Sequence, residues 1–469
     1  MLFSAHMRLY CWLALLSLTS CSLAPSYERP EAPVPAGIFA EQPAGAAAPE
    51  KPPGDIPELP DWRGFFTDER LRALITLSLE HNRDLKLAVL AVAEARAKYG
   101  LARAERLPML EAEGSAAYTG MYRMPVEKRY EAALMPAFDL DLFGRLRSMS
   151  EAAFQGYLAM SEAARTARIA LVAQVAQAYL EERLAGELWR LAGENLLNRR
   201  RSLDFVRQRV ESGQSSLLDM EEARSMLEEA TVDWSMRERE QIMAVNALNF
   251  IAGQDVPEGL PPGPGLREMR LAELPGGVPS AALLRRPDIL EAEHILRAAK
   301  ADIGAARAAF FPSISLTGNL GYMSGELAGL FSSPNSLWAF LPSIRLPIFS
   351  GGRDAANLDM AHLAEQSALL RYEQAIRNAF KETADALQSR ASLAAQLAAQ
   401  ERLLLSQRQV LELAQKQYIN GSVSYLEVLA AQRGVFQAEQ NLLLLRRDQL
   451  MNEISLYSAL GGGLAAMND

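Results

Sequence analysis

The chain has 469 residues, 49% of them hydrophobic and 22% charged, which suits one large or two ordinary folded domains and excludes a disordered chain. Its 48 basic and 57 acidic residues leave a formal net charge of −9 with no basic patch, which disfavours a nucleic-acid partner. His6, His81, His294 and His362 lie scattered without metal-ligand spacing, and there is no phosphate-binding glycine loop or nucleophile elbow. No catalytic residue, metal or cofactor is therefore expected.

Met7 and Arg8 open a short apolar run, Leu9 to Leu18, that ends in Leu18-Thr19-Ser20-Cys21. This order predicts a signal peptide over residues 1–20, with Met1 or Met7 as the start; the competing reading is a buried N-terminal helix with an incidental cysteine. Cys11 falls inside the removed segment, so Cys21 is the one cysteine of the mature chain and no disulfide is expected. The tetrapeptide resembles the bacterial lipobox. That resemblance implies acylation of Cys21, and Ser22, not being Asp, is compatible with sorting to the outer membrane. Residues 21–60 are crowded with prolines from Pro25 to Pro60 and are expected to run extended over a surface as a tether, with folded structure from about Asp61.

Beyond Asp61 the sequence repeats once. Asp84-Leu85 and Ala102-Arg103-Ala104 before Pro108 return 204 positions later as Asp288-Ile289 and Ala306-Arg307-Ala308 before Pro312. Gly144-Arg145, Gly213, Leu248 and Gly253 return 208 positions later as Gly352-Arg353, Gly421, Leu456 and Gly461. The expected domains are a first repeat over 61–253, a Pro- and Gly-rich connector over 254–279, a second repeat over 280–461, and a tail over 462–469.

Each repeat starts with a helical pattern, such as Leu85, Ala88, Val89, Val92 and Ala95, that stops at Pro108 or Pro312. Period-two alternation then predicts four strands as two hairpins, over about 109–142 and 313–348. In the first hairpin Leu110, Ala112, Gly114, Ala116, Tyr118 and Tyr122 alternate with Glu111, Glu113, Ser115 and Thr119, and Tyr130 to Leu142 alternate with Glu131, Asp139 and Asp141. After Gly144-Arg145 and Gly352-Arg353, helical patterning runs to Gly213 and Gly421, about 67 residues or roughly 100 Å of helix. Returning helices are expected from about Ser216 and Ser424, packed side by side in coiled-coil fashion.

Such a sheet could cover a soluble helical core. Strands of 10 to 14 residues, apolar on one face and polar on the other, also fit a membrane barrel with a watery lumen. Four strands cannot close a barrel in lipid, so that reading requires two copies with eight strands or three with twelve. Glu111, Glu113, Glu131, Asp139 and Asp141 would then line the lumen. Tyr118, Tyr122, Tyr130, Tyr322 and Trp338 would form aromatic girdles or simply pack the hairpins.

The lipobox, tandem repeat, two hairpins and Gly-centred tips together resemble the outer membrane factor family. The most specific matches are Cys21 with Pro25, Tyr27, Arg29-Pro30 and Pro33, the stretch Arg285-Arg286-Pro287-Asp288-Ile289, and Gly421 through Arg433. The resemblance implies an α+β fold: a trimeric outer-membrane β-barrel, four strands per protomer and twelve in total, continued by a long periplasmic α-helical barrel. It implies a channel in a tripartite efflux pump, with a periplasmic adaptor and an inner-membrane transporter of the resistance-nodulation-division (RND) type as partners and outer-membrane lipid around it. By the same resemblance the adaptor docks at the tips, on Val210, Gly213, Ser216, Leu217 and Asp219 and on Tyr418, Gly421, Ser424, Tyr425 and Val428. Gate candidates are Glu427, with Arg433 able to pair across helices, and Leu426. Relatives carry a second acidic residue where this chain has Ala430. The alternatives are a conduit for ATP-driven type I protein secretion and a lipid-anchored coiled-coil scaffold without a pore.

Overall fold

The computed structural model describes residues 23–33, 38–40, 60–275 and 277–463. Cys21, the segment before it and the end of the tail lie outside the described residues. The chain forms two compact units: one holds residues up to Ala32 with Leu90–Ala163 and Asp288–Ala375, the other Pro33–Val89, Ala164–Pro287 and Ile376–Asp469.

The elements in chain order are β1 (Ile38–Ala40), α1 (Glu69–His81), α2 (Arg83–Ala104), β2 (Met109–Thr119), β3 (Glu127–Leu140), α3 (Arg145–Glu211) and α4 (Leu217–Ala252). They continue with β4 (Gly277–Pro279), α5 (Pro287–Ala308), β5 (Ser313–Ser324), β6 (Ser336–Arg345), α6 (Arg353–Ile419) and α7 (Tyr425–Ala459). From α2 and α5 onward the halves match: α2 and α5 have 22 residues each, and α3 and α6 have 67 each. No described helix is long and apolar enough to cross a membrane.

In the first unit a four-stranded antiparallel sheet has the order β2-β3-β5-β6. Because strand neighbours alternate faces, the register sorts the side chains. One face carries Leu110, Tyr118, Tyr130, Leu134, Phe138, Leu320, Tyr322, Trp338, Phe340 and Ile344, and Trp338 is 76% exposed in the protomer. The other carries Glu111, Glu113, Ser115, Glu131, Asp139, Ser315, Thr317, Asn319, Ser343 and Arg345. Asn319 donates to Glu131 at 3.0 Å across this polar face.

Three strand ends differ from the alternation read in the sequence. β2 stops at Thr119, so Tyr122 stands in the hairpin loop, where Met124 N–H bonds Met121 O at 2.9 Å. β6 stops at Arg345, leaving Ile348 and Phe349 outside it and almost fully exposed. Asp141 lies beyond β3, and its carboxylate accepts from Leu146 N at 3.1 Å and Arg147 N at 2.8 Å. It therefore caps α3, as a carboxylate placed at a helix start does, and does not belong to the polar face.

Residues 23–33 run over the first unit without helix or strand. Tyr27 O–H donates to Glu293 at 2.9 Å, Arg29 pairs with the other Glu293 oxygen at 2.8 Å, and Arg297 lies 4.4 Å from the Tyr27 ring.

The second unit is a helical body to which the connector is bound. Phe66 bridges Leu271, Ala272 N–H bonds Phe65 O at 3.0 Å, and Leu266 and Met269 are fully buried. Arg446 donates to the Leu266 and Met269 carbonyls. Tyr457 stacks on Phe65 at 4.2 Å and donates to Gly462 O at 2.8 Å. β1 pairs with β4, so the proline-rich region contributes a strand that composition alone did not indicate.

Candidate functional site at the helix tips

Both long helices end on a left-handed glycine, a conformation that costs a Cβ-bearing residue about 1–2 kcal/mol. Gly213 has φ 73° and Gly421 φ 72°. Gly213 N–H bonds Val210 O at 3.0 Å and Gln214 N–H bonds Arg209 O at 2.7 Å; Gly421 and Ser422 do the same to Tyr418 O at 3.0 Å and Gln417 O at 2.9 Å. Crossed bonds of this kind satisfy the last carbonyls and turn the chain back.

The two return helices start differently. Ser216 caps α4 with a full capping box: its hydroxyl accepts from Asp219 N at 3.1 Å while Asp219 Oδ2 accepts from Ser216 N at 3.0 Å. Ser215 Oγ adds a bond to the same oxygen at 2.7 Å. The Ser216 N–H, helped by the Ser215 hydroxyl, holds the Asp219 carboxyl below the usual carboxylate range. At α7, Ser424 makes no side-chain cap bond; the Glu427 N–H bonds Ser424 O at 3.3 Å, and its exposed carboxylate makes no hydrogen bond or ion pair among the described residues.

A small core joins the two tips: Val206, Ala223, Tyr425, Val428 and Leu429 are buried together, with Val210, Met220 and Tyr418 against them. The Tyr418 and Tyr425 rings lie 5.0 Å apart, and the Arg209 guanidinium sits 5.1 Å from the Tyr418 centroid. Val210, Tyr418, Tyr425 and Val428 thus pack the tips. Gly213, Ser216, Leu217, Gly421, Ser424, Leu426, Glu427 and Arg433 are the exposed members of the expected set. Arg433 reaches Glu229 of α4 at 3.7 Å and Met226 Sδ at 3.1 Å, and within the protomer does not reach Glu427.

One polar residue here has no sequence signal. Arg199 is 4% exposed and donates to Gln432 Oε1 at 2.6 Å; burial lowers its pKa. Its partner Gln432 lines a groove of about 490 Å³ together with Ser202, Phe205, Tyr418, Tyr425 and Phe436. Among 48 basic residues a charge at helical spacing looks like any solvated one, and only the packing of α3 on α7 reveals its burial.

Residues 74–254 and 278–462 match the outer membrane efflux protein family, one segment per repeat. The chain belongs to this family. It is 44% identical over 460 residues to the cation efflux system protein CusC of Escherichia coli strain K12, covering 97% of this chain and 99% of that one. It is 40% identical over 460 residues to the toluene efflux pump outer membrane protein TtgI of Pseudomonas putida, covering 96% and 97%. The open-state MtrE outer membrane channel of Neisseria gonorrhoeae superposes with a TM-score of 0.86 at 38% identity, covering 95% of this chain and 99% of that one. These relatives are channel proteins. This chain is the outer-membrane efflux channel of a tripartite pump, a trimeric barrel of four strands per protomer that extends into the periplasm and works with an adaptor and an inner-membrane pump.

Proposed function

We propose that this channel serves a proton-driven RND transporter and passes small toxic solutes outward, cations foremost, without chemistry of its own. The observation that carries the substrate class is the polar face of the sheet, where Glu111, Glu113, Glu131 and Asp139 stand against Arg129 and Arg345. Three copies of such a face around a water-filled lumen attract cations and repel anions. Identity alone does not select a solute, since the cation-efflux and toluene-efflux relatives are 44% and 40% identical.

At the periplasmic end, three copies of the unpartnered Glu427 form an acidic ring that gates the pore beside Leu426, and the exposed tip residues receive the adaptor. Acylated Cys21 holds each protomer at the outer membrane. The test is a strain lacking this gene, challenged with silver ion, ethidium and toluene. The reading expects plasmid-borne wild type to restore tolerance to the two cations, and an uncoupler that spares ATP to abolish the effect. Restored tolerance to toluene alone would sink the cation preference, and uncoupler-insensitive export would sink the RND assignment.

A further inference from the structure

The sheet ends on two open edges, β2 and β6. In lipid an unpaired edge is untenable, so in the trimer β6 of one copy must meet β2 of the next. The internal repeat specifies how. Met109 and Ser313 open matching strands after Pro108 and Pro312, so Glu113 corresponds to Thr317, each four residues on. Met109 pairs with Ala137 and Ser313 with Arg345, so Ala137 corresponds to Arg345. Within the protomer Ala137 pairs with Thr317 across the junction between the repeats.

Carrying that junction from inside the protomer to the boundary between copies, we propose that Arg345 pairs with Glu113 of the neighbouring copy. The seam then continues antiparallel: Ile344 opposite Gly114, Ser343 opposite Ser115, Pro342 opposite Ala116, Leu341 opposite Ala117, Phe340 opposite Tyr118, and Ala339 opposite Thr119.

Three independent features agree with this register. It matches the faces: Arg345 and Ser343 meet Glu113 and Ser115 on the polar side, and Phe340 meets Tyr118 on the apolar side. A one-residue slip would set each polar side chain against an apolar one. It also unites two charges that make no ion pair among the described residues, the Arg345 guanidinium and the Glu113 carboxylate, as directly opposed cross-strand partners do. Finally, it places Pro342 against small Ala116. Inside the protomer Pro136 likewise lies against glycine, its Cγ 3.0 Å from where a Cβ of Gly318 would stand.

The inference rests on the trimeric barrel and not on which solute is exported. Its test is site-directed crosslinking of the full chain in outer membranes. Directly opposed residues stand about 4.5–5.5 Å apart at Cα, within disulfide reach. Within one chain Ser115 and Ser343 are three strand spacings apart, which alone is about 14 Å, and eight residues out of line along the strands, so they cannot bond. Ser115→Cys with Ser343→Cys is expected to give covalent dimers and trimers on oxidation that reductant returns to monomer. Crosslinking instead in Ser115→Cys with Leu341→Cys, or in Ser115→Cys with Arg345→Cys, would overturn the register, as would no crosslink in any pair while the single variants still restore efflux.

Charge reversal gives a readout free of cysteine. Glu113→Arg and Arg345→Glu should each lower the temperature at which detergent-resistant trimers dissociate, and the double variant should regain it. A double variant no better than the worse single one would overturn the ion pair.

Discussion

Asp219 and Glu427 occupy the third residue of the two return helices, matching places in the two repeats, yet among the described residues only the Asp219 carboxylate is hydrogen-bonded. The shorter side chain reaches back to the Ser216 N–H and is held in the capping box. Glu427 has one more methylene and a neighbour, Ser424, that offers no reciprocal bond. The repeat thus commits one carboxylate to the first tip and leaves the other exposed, without a side-chain partner among the described residues.

Removing the box should loosen the first tip alone. Ser216→Ala or Asp219→Ala is expected to cost about 1 kcal/mol locally, seen as faster amide exchange across residues 213–220 with residues 421–428 unchanged. The pH dependence has a definite sign. The Asp219 pKa is lower folded than unfolded, so its stabilisation is complete above the unfolded value near 3.9 and is lost as pH falls through the folded one. Exchange rates corrected for intrinsic pH effects should show the tip loosening only in that acidic window.

Glu427→Ala, by contrast, should leave stability within about 0.5 kcal/mol, as an exposed and unpartnered side chain does, and should change conduction. Reconstituted trimers are expected to lose part of their preference for potassium over chloride and to conduct more. Unaltered selectivity and conductance in planar bilayers would remove Glu427 from the gate.

Periodic features were legible in the sequence, and features made by distant contacts were not. The repeat, the glycine turns and the two-faced strands follow from spacing along the chain, and the 67-residue helices stop where Gly213 and Gly421 announce it. Asp141 misled because the alternation of Asp139, Leu140 and Asp141 continues past the point where backbone pairing ends, and helix capping then takes over its carboxylate. Connector residues Leu266 and Met269 looked like linker because their partners, Arg446 above all, lie about 180 positions away. Glu293 gave no sign of binding Tyr27 for the same reason.

Arg199 and Gln432 join α3 to α7 near the tips. Gln432→Leu strands a buried guanidinium and should cost about 2 kcal/mol. Adding Arg199→Met removes the stranded charge, so the double variant should recover most of the loss. Arg433→Ala serves as the comparison: its 3.7 Å pair with Glu229 is exposed on both sides and should contribute under about 1 kcal/mol. Thermal dissociation of the trimers ranks the three, and equal losses from Gln432→Leu and Arg433→Ala would refute the distinction.

Glu293 is the anchor of the N-terminal segment. Its carboxylate is 5% exposed and takes the Tyr27 hydroxyl on one oxygen and the Arg29 guanidinium on the other, with Arg297 bonded beside them. Burial, together with the bond to Glu293, pushes the Tyr27 pKa up to about 12, so the phenol stays a donor throughout the physiological range. Glu293→Gln keeps the shape and removes the charge that two arginines share. Losing charge-assisted bonds of about 1.5–3 kcal/mol should raise the detached fraction of residues 23–33 some ten- to hundredfold. A glutamate-specific protease reads this directly by cutting after Glu28 or Glu31, while the barrel and long helices stay intact. Cleavage at the wild-type rate would mean that the chain is held here by packing rather than by charge. Faster cleavage would make Glu293 the residue through which a lipid anchor six positions before Tyr27 is tied to the strand-bearing unit.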